Sequence, residues 1–283
     1  MIYESSRGPG RNYSHGKYAV LFFKDFIEMI DTLLARIQQK HRTMKFPDGP
    51  PPELPDRFMG RPAVNAKDCP SDCARCVEIC PTRAITNAEG LRMDLGSCLF
   101  CAECARVCPG QGIRFTKDYC MAVRRRDDLR IDDVKRFQPA IALEQKLKRL
   151  FGRSLKLRQV SAGGCNACEA DTNVLGTVGW DIGRFGIQFV ASPRHADGLL
   201  ITGPVTENMR LALLKTYEAV PEPKLVIAVG ACAITGGPYK DHEEVHNGAC
   251  DLLPVDLLIP GCPPHPLTIL DGLLRLIGRI ETL

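Results

Sequence analysis

The sequence predicts a small α+β domain followed by an α/β domain with a parallel sheet, joined by a charged connector. Two observations predict this arrangement. Between residues 69 and 120, eight cysteines cluster among short strand-like pieces, which is typical of a small domain organised by its ligands. Beyond residue 160, apolar strands alternate with amphipathic helices, as in a parallel sheet covered by helices.

The composition is that of a globular protein without an obvious nucleic-acid or membrane-spanning function. The 283 residues allow two domains of ordinary size, and a net charge of +4 is too small to indicate binding to nucleic acid. No apolar run approaches the roughly 18 residues that cross a bilayer, and no cleavable signal is present, so we expect a chain that is neither membrane-spanning nor secreted. Most of its fourteen cysteines lie in tight CxxC-type clusters and are then expected to be metal ligands in a reducing compartment.

The N-terminal part, residues 1–60, contains an amphipathic helix and a proline-rich strap. From residue 17 to about 42, apolar side chains recur every three or four positions: Val20, Phe23, Ile27, Ile30, Leu34 and Ile37. This helix either packs on its own domain or docks on a membrane partner or the bilayer interface. Residues 46–58 contain several prolines, which lack the amide donor, so the pattern predicts an extended segment.

The remaining elements follow from periodicity and turn residues, and they predict domains at 61–120 and 160–283. In the first domain the predicted strands are 84–86, 91–94 and 113–117. In the second, the predicted strands are 185–191, 198–205, 224–230 and 255–261, with helices at 206–220 and 265–280. The connector, residues 121–159, carries 12 Lys/Arg against 5 Asp/Glu, which favours a solvated helical face over a specific anion site.

The eight clustered cysteines form an internal repeat in which each block ends in Cys-Pro. Equivalent cysteines are 28 residues apart, except for the first pair, which are 29 apart, so one extra residue lies between Cys69 and Cys73. A 4Fe-4S cluster needs four soft thiolates, and in the bacterial two-cluster pattern the fourth cysteine of each block ligates the other cluster. The predicted first quartet is Cys69, Cys73, Cys76 and Cys108, and the predicted second quartet is Cys98, Cys101, Cys104 and Cys80.

This spacing predicts a two-cluster ferredoxin-like domain. Structural zinc is disfavoured because its sites show two paired CxxC knuckles separated by a longer loop.

A third quartet is dispersed over the α/β domain: Cys165, Cys168, Cys232 and Cys262. Cys232 and Cys262 each follow a predicted strand, and ligand sites of open parallel sheets form at the carboxyl ends of the strands. Alone, these two cysteines would be interpreted as small buried hydrophobic residues. Together with the CxxC and the Cys-Pro they predict a third 4Fe-4S cluster, whereas Cys120 and Cys250 belong to no group and are expected to be inert thiols.

The motifs resemble a known pair of families. The segment PPELPDRFMGRP with the two cysteine blocks resembles the two-cluster ferredoxin-like subunit of respiratory complex I and its hydrogenase counterparts. Residues 160–283, with GCNACE, SPRHADGLLITGPVT, VGACAITGG and PGCPPHP, resemble the small subunit that holds the cluster nearest the active site in complex I and in membrane-bound NiFe hydrogenases. The resemblance implies a fusion of two adjacent subunits, the second with a flavodoxin-like parallel sheet.

One departure distinguishes the two branches of the resemblance. The complex I subunit has adjacent cysteines at the first ligand position, whereas this chain has Cys165-x2-Cys168, which resembles energy-converting hydrogenases of the formate hydrogenlyase type. The resemblance then implies an electron-transfer subunit of a cytoplasmic complex at the inner face of the cell membrane. Its implied partners are a catalytic large subunit of the NiFe type, integral membrane subunits, along which the N-terminal helix would lie, and further electron-transfer proteins.

Two other functions stay open: the equivalent subunit of a quinone-reducing complex, and a related complex without nickel. A non-redox scaffold with structural metals is disfavoured, because twelve cysteines have redox-type spacing. No complete catalytic site is expected in this chain, since a NiFe centre needs paired CxxC motifs near both ends of a large subunit.

Four residues are candidates for proton relay or for tuning the third cluster. Glu169, beside Cys168, could relay protons, or it could be a surface or N-terminal helix carboxylate. Arg194, His195 and His265 lie in loops expected near the third quartet, where they could tune its potential or couple it to protons. The alternative for these three residues is loop anchoring.

Overall fold

The computed structural model describes residues 29–40, 42–69, 73–88, 90–135, 137–152 and 154–280. The chain divides into two units, residues 1–43 and 44–283. In the first unit, helix α1 occupies 29–39, whereas 17–28 and 41 of the predicted helix lie outside the described residues. The apolar side chains of α1 are exposed: Met29, Ile30, Leu33, Leu34 and Ile37. Within the described ranges, no helix has the length and apolar character needed to cross a bilayer.

The second unit begins with the proline-rich strap. As predicted, residues 46–58 form no regular helix or strand. The ammonium group of Lys117 fixes this strap by donating to the carbonyls of Pro55, Asp56 and Phe58 at 2.8, 2.6 and 3.2 Å.

The cysteine-rich part contains two small antiparallel sheets and two short helices. One sheet pairs β1 (Pro62–Val64) with β4 (Ile113–Phe115), and the other has the order β2 (Ile85–Thr86), β3 (Arg92–Asp94), β5 (Arg130–Ile131). The helices are α2 (Arg75–Ile79) and α3 (Glu103–Val107), and 3-10 turns occupy Ala66–Asp68 and Arg126–Leu129. Each α-helix carries one cysteine on its buried side, Cys76 or Cys104, so the helices present thiols to the interior.

The third part is built on a five-stranded parallel sheet, which confirms the predicted α/β architecture. The strands are β6 (Leu155–Ser161), β7 (Ile187–Phe189), β8 (Gly198–Thr202), β9 (Leu225–Val229) and β10 (Leu257–Ile259). Their spatial order, β10-β9-β8-β6-β7, is the doubly wound order of flavodoxin-like sheets. Every residue of β8 and β9 is buried, as expected for strands covered on both faces.

Strand β6 lies next to the topological switch point of the sheet, yet it begins inside the predicted connector. In the sequence, the buried residues Leu155 and Leu157 alternate with the cationic residues Lys156 and Arg158. The charges suggested a solvated helical face, whereas the period of two is that of a strand. In the described part of this connector, the one α-helix is the short α4 (Gln145–Phe151).

Helices cover both faces of the sheet: α5 (Ala167–Val174), α6 (Glu207–Ala219), α7 (Ala231–Thr235) and α8 (Pro266–Leu276). Additional 3-10 turns occupy Ile182–Phe185, Pro193–His195 and Gly237–Tyr239. The sheet and the cysteine-rich part share one hydrophobic core, in which Leu91 and Met93 join Ile234 and Leu258. Val123 exchanges two main-chain hydrogen bonds with Leu258 at the edge of β10, so both parts pack directly on each other.

Candidate functional site

The structure brings together the four cysteines of the predicted first quartet. Burial, with the neighbouring charges of Cys73 and Cys108, raises the pKa of Cys69. Burial, followed by the charges of Cys69 and Cys108, raises the pKa of Cys76. An added Cβ on Gly112 would lie 3.7 Å from both Cys108 Sγ and Cys69 Cβ, so these two cysteines flank the same glycine. Cys108 therefore lies among the thiols of the other block, while the extra residue, within 70–72, falls outside the described residues.

The second quartet surrounds a small cavity. Cys80, Cys98, Cys101 and Cys104 all line this cavity. Burial raises the pKa of Cys104 to about 11, with further contributions from the charges of Cys101 and Cys80. The amides of Phe100 and Ala84 donate to the sulfurs of Cys98 and Cys80, each at 3.2 Å. Such N–H donors stabilise thiolates and influence the potential of a bound cluster.

The third quartet forms at the carboxyl edge of the parallel sheet. Cys165 and Cys168 follow β6, Cys232 lies in α7 after β9, and Cys262 follows β10. Burial raises the pKa of Cys232 to about 12, and the charges of Cys262 and Cys165 raise it further. The sulfur of Cys168 packs on Gly230, because an added Cβ there would lie only 2.5 Å from it.

Two electrostatic contacts connect the quartets. The charge of Cys76, in the first quartet, contributes to the raised pKa of Cys104 in the second. After burial and Cys165, the charge of Cys101 raises the pKa of Cys262 in the third quartet. The second quartet therefore lies between the other two.

The thiols fit a 4Fe-4S cluster by their chemistry and surroundings. Soft thiolates are the ligands of such clusters, and Cys76, Cys98 and Cys104 are buried in the shared hydrophobic core. Across the described ranges, no group of three or more His, Cys, Asp or Glu side chains converges on a single-ion position. Cys120 lies apart, 3.7 Å from Asp271 Oδ1 and 3.6 Å from an Arg275 nitrogen. Burial raises the pKa of Cys250 to about 11, which favours the protonated thiol.

Glu169 is a buried carboxylate at the switch point of the sheet. Only 6% of the residue is exposed, and its Oε1 accepts hydrogen bonds of 2.6 Å from the hydroxyls of Ser161 and Thr202. These residues end β6 and β8. Its charge also contributes to the raised pKa of Cys168 and Cys232. The surface alternative is therefore wrong, whereas the alternative of a carboxylate at a helix N-terminus agrees with its position in the first turn of α5. A role in proton relay stays a prediction.

The other three candidates occupy different environments. His265 is the N-cap of α8, and its Nδ1 accepts a hydrogen bond of 3.1 Å from the amide of Leu267. Burial lowers the pKa of His265. Its ring contacts Phe58 and Trp180 edge-on. Arg194 and His195 are exposed in the 3-10 turn that leads to the amino end of β8. This amino end is opposite the carboxyl edge that carries the third quartet, so Arg194 and His195 do not lie in loops beside that quartet as expected. The influence of His265 on the third quartet stays a prediction.

A cleft of about 280 Å³ lies between the loops of the second and third quartets. It contains two charged residues that sequence analysis did not single out, Arg57 from the strap and Asp171 from α5. Burial raises the pKa of Asp171. The one sequence signal for Asp171 is its position three residues after Cys168 on the same helix.

Known proteins resemble the α/β part of this chain. A sequence profile described as NADH ubiquinone oxidoreductase, 20 Kd subunit, matches residues 165–276. Formate hydrogenlyase subunit 7 of Escherichia coli is 41% identical over 140 residues, which cover 50% of this chain and 55% of that protein. A probable membrane-bound hydrogenase subunit of Pyrococcus furiosus is 41% identical over 147 residues, covering 52% of this chain and 86% of that protein.

A subunit of the NADH-quinone oxidoreductase of Clostridium beijerinckii is 46% identical over 118 residues, covering 41% of this chain and 70% of that protein. The four thiols at the carboxyl edge of the sheet all lie within the segment that matches the profile of the oxidoreductase 20 Kd subunit. The chain belongs to the family of the NADH ubiquinone oxidoreductase 20 Kd subunit.

Proposed function

We propose that this chain is an electron-transfer subunit whose three cysteine quartets hold three 4Fe-4S clusters. Residues 61–120 would form the two-cluster ferredoxin-like domain and residues 160–283 the domain of the third cluster, with 1–60 and 121–159 as N-terminal segment and connector. When bound, each cluster supplies one-electron oxidation and reduction.

One observation carries this proposal: the second quartet is the electrostatic neighbour of both others. The charge of Cys76 contributes to the raised pKa of Cys104, and the charge of Cys101 contributes to the raised pKa of Cys262. A continuous series of redox centres requires such an order, whereas three independent structural sites do not.

The chain's own residues would ligate, shield and tune the clusters. N–H groups of Phe100, Ala84 and Gly112 each donate to a cysteine sulfur at 3.2 Å, which favours the thiolate form. The shared core buries Cys76, Cys98 and Cys104 of the first two quartets, and Glu169 places a negative charge beside the third.

We infer that the third quartet faces a catalytic partner. Cys165 and Cys262 are exposed at the carboxyl edge of the sheet, which leaves this edge accessible to another chain. The partner we propose is a large subunit with a NiFe site, because the CxxC at Cys165 resembles the hydrogenase branch and two relatives are named as hydrogenase-type subunits. The second candidate is a quinone-reducing complex, favoured by the relative from an NADH-quinone oxidoreductase, or a related complex without nickel.

The proposed location is the cytoplasmic face of the cell membrane, in contact with integral membrane subunits. The exposed apolar side chains of α1 support such a contact. Deleting residues 17–42 should release the complex from membranes and leave its iron content unchanged. Membrane association that survives the deletion would contradict this part of the proposal.

The test of the function is iron, acid-labile sulfide, nickel and zinc analysis of the anaerobically purified complex, with low-temperature EPR. We expect about 12 iron atoms per copy of this chain, in addition to the iron of its partner subunits, and signals from interacting clusters. Nickel in the co-purified large subunit would support the hydrogenase assignment, whereas quinone-dependent activity without nickel would favour the alternative. Colourless protein with bound zinc would contradict electron transfer altogether.

A further inference from the structure

A contact between the cysteine-rich part and helix α7 connects the second and third quartets. Resting on the function proposed above, we propose that Gly96, Ser97 and Thr235 fix the separation of these quartets and are positioning residues for electron transfer between them. Ser97 precedes Cys98 of the second quartet. Thr235 lies three residues after Cys232 of the third, on the same short helix.

A hydrogen bond joins the two segments directly. The hydroxyl of Thr235 lies 3.0 Å from the carbonyl oxygen of Gly96, to which it donates. Ser97 Oγ lies 3.3 Å from Thr235 Oγ1, a polar contact rather than a second hydrogen bond, because each hydroxyl donates its one proton elsewhere. Ser97 is only 6% exposed, so water does not compete strongly at this contact.

The turn that carries Gly96 and Ser97 is itself held in place. The carboxylate of Asp94 accepts hydrogen bonds from the Gly96 amide and the Ser97 hydroxyl, each at 3.0 Å. Arg126 binds the same carboxylate through two nitrogens, one of them at 2.7 Å. Burial alone would raise the pKa of Asp94, but the hydrogen bonds and charge of Arg126 outweigh it and the pKa is lowered, so the ion pair persists at neutral pH.

The same turn also fixes a second ligand segment. Thr82 Oγ1 donates to the carbonyl of Ser97 at 2.6 Å. Thr82 lies two residues after Cys80, the fourth cysteine of the second quartet. A displacement of the turn would therefore move the segments of both Cys80 and Cys98.

Close packing sets the distance between the Gly96 segment and α7, which the hydrogen bond from Thr235 then maintains. A Cβ added to Gly96 would lie 2.9 Å from Ile234 Cγ2 and 3.0 Å from the Arg126 guanidinium carbon. Ile234 is 2% exposed, and its β-branched side chain has few alternative rotamers. The glycine thus allows the main chain of the second-quartet segment to approach α7 more closely than any other residue would.

This spacing matters because electron tunnelling slows steeply as the gap between two centres widens. With clusters bound at both quartets, one electron would pass from one to the other without exchange of a bond or proton. Neither Gly96 nor Thr235 is a ligand in the predicted set, so a substitution at either residue can shift the ligand segments and alter the gap without removing a ligand.

The experiment compares Gly96→Ala and Thr235→Val with matched controls in the intact complex. Gly179→Ala is the glycine control, since an added Cβ there meets nothing within 4 Å. Thr216→Val is the threonine control, because the Thr216 hydroxyl likewise donates to a main-chain carbonyl, that of Ala212, but lies on α6. Thr235→Ser, which keeps the hydroxyl, should restore the wild-type behaviour.

Three quantities are measured: iron per chain, the magnetic interaction between reduced clusters by EPR, and the rate of electron equilibration after flash reduction. We expect full iron content in both test variants, a weaker interaction between the second and third clusters, and a several-fold slower equilibration, with both controls unchanged. An unchanged interaction and rate, or iron loss from either quartet, would overturn the positioning role. A wild-type chain with only eight iron atoms would instead contradict the proposed function. If Gly96→Ala does not fold, Thr235→Val with its serine rescue decides.

Discussion

Glu169 accepts a hydrogen bond of 2.6 Å from Thr202, so a carboxylate from α5 is fixed over the junction between β6 and β8. Its charge contributes to the raised pKa of Cys168 and Cys232. A negative charge beside a cluster favours the oxidised state, because reduction adds further negative charge. Glu169→Gln should therefore raise the reduction potential of the third cluster in an EPR-monitored redox titration.

The amide oxygen of a glutamine still accepts hydrogen bonds, so we expect Glu169→Gln to lower the free energy of unfolding by only about 1 kcal/mol. Glu218→Gln is the control, since Glu218 is exposed on α6. A potential that stays constant or falls in Glu169→Gln would show that the carboxylate does not influence the third quartet.

Gly230 is the second residue whose replacement should affect this quartet. Its φ of 91° disfavours any other residue, and an added Cβ would lie 2.5 Å from Cys168 Sγ. Gly230→Ala should displace the thiol and reduce the iron content by about four atoms per chain. Gly179→Ala, at an open position, should keep the full complement. Full iron in Gly230→Ala would contradict the assignment of Cys168 to the cluster.

The crossed ligand sets of the first two quartets predict which substitutions act alike. Cys108 lies among the thiols of the first block and Cys80 among those of the second. Cys108→Ser should therefore abolish the same EPR signal as Cys76→Ser, and Cys80→Ser the same signal as Cys104→Ser. If Cys108→Ser instead matched Cys104→Ser, each block would hold its own cluster and the crossing would be wrong.

His265 predicts a pH dependence of stability. Burial lowers its pKa below the ordinary 6.5, so the unfolded chain binds this proton more readily than the folded chain. The stabilisation that neutral His265 contributes is therefore fully present above pH 6.5 and is progressively lost as the pH falls below that value. His265→Asn keeps an acceptor for the α8 amide but removes the titration.

The measurement is thermal unfolding between pH 5.5 and 7.5, where the wild type should lose more stability on acidification than His265→Asn. His195→Asn, at an exposed position, should behave like the wild type. Equal acid sensitivity of His265→Asn and wild type would exclude His265 as the titrating group.

Sequence patterns predicted some elements and obscured others for physical reasons. The apolar runs of β8, β9 and β10 are buried on both faces, which gives a strong signal, and the parallel sheet was predicted correctly. Strand β6 was missed because Lys156 and Arg158 occupy its less buried positions. Spacing predicted the three ligand sets, whereas the contact of Gly96 with Thr235 joins residues 139 positions apart and depends on tertiary packing alone.

A final prediction concerns Asp271, which is 1% exposed and pairs with Arg275 at 2.9 Å on α8. Cys120 completes this group from the cysteine-rich part, and burial raises its pKa to about 12, so it remains a neutral thiol. Asp271→Ala would leave the Arg275 guanidinium buried without a counter-charge, and breaking such a pair costs about 3–5 kcal/mol in the free energy of unfolding. Apolar residues of similar size can replace a buried ion pair at little cost. The double variant Asp271→Leu with Arg275→Met should therefore lose much less free energy of unfolding than Asp271→Ala.

Cys120→Ala removes only a weak S–H contact and should keep about 12 iron atoms, as expected of a cysteine outside the quartets. Urea unfolding of the anaerobic protein measures the stabilities, and iron analysis measures the cluster content. A single Asp271→Ala variant as stable as the double variant would mean that the ion pair does not stabilise the packing of α8. Loss of about four iron atoms in Cys120→Ala would instead make Cys120 a ligand and would contradict the assigned quartets.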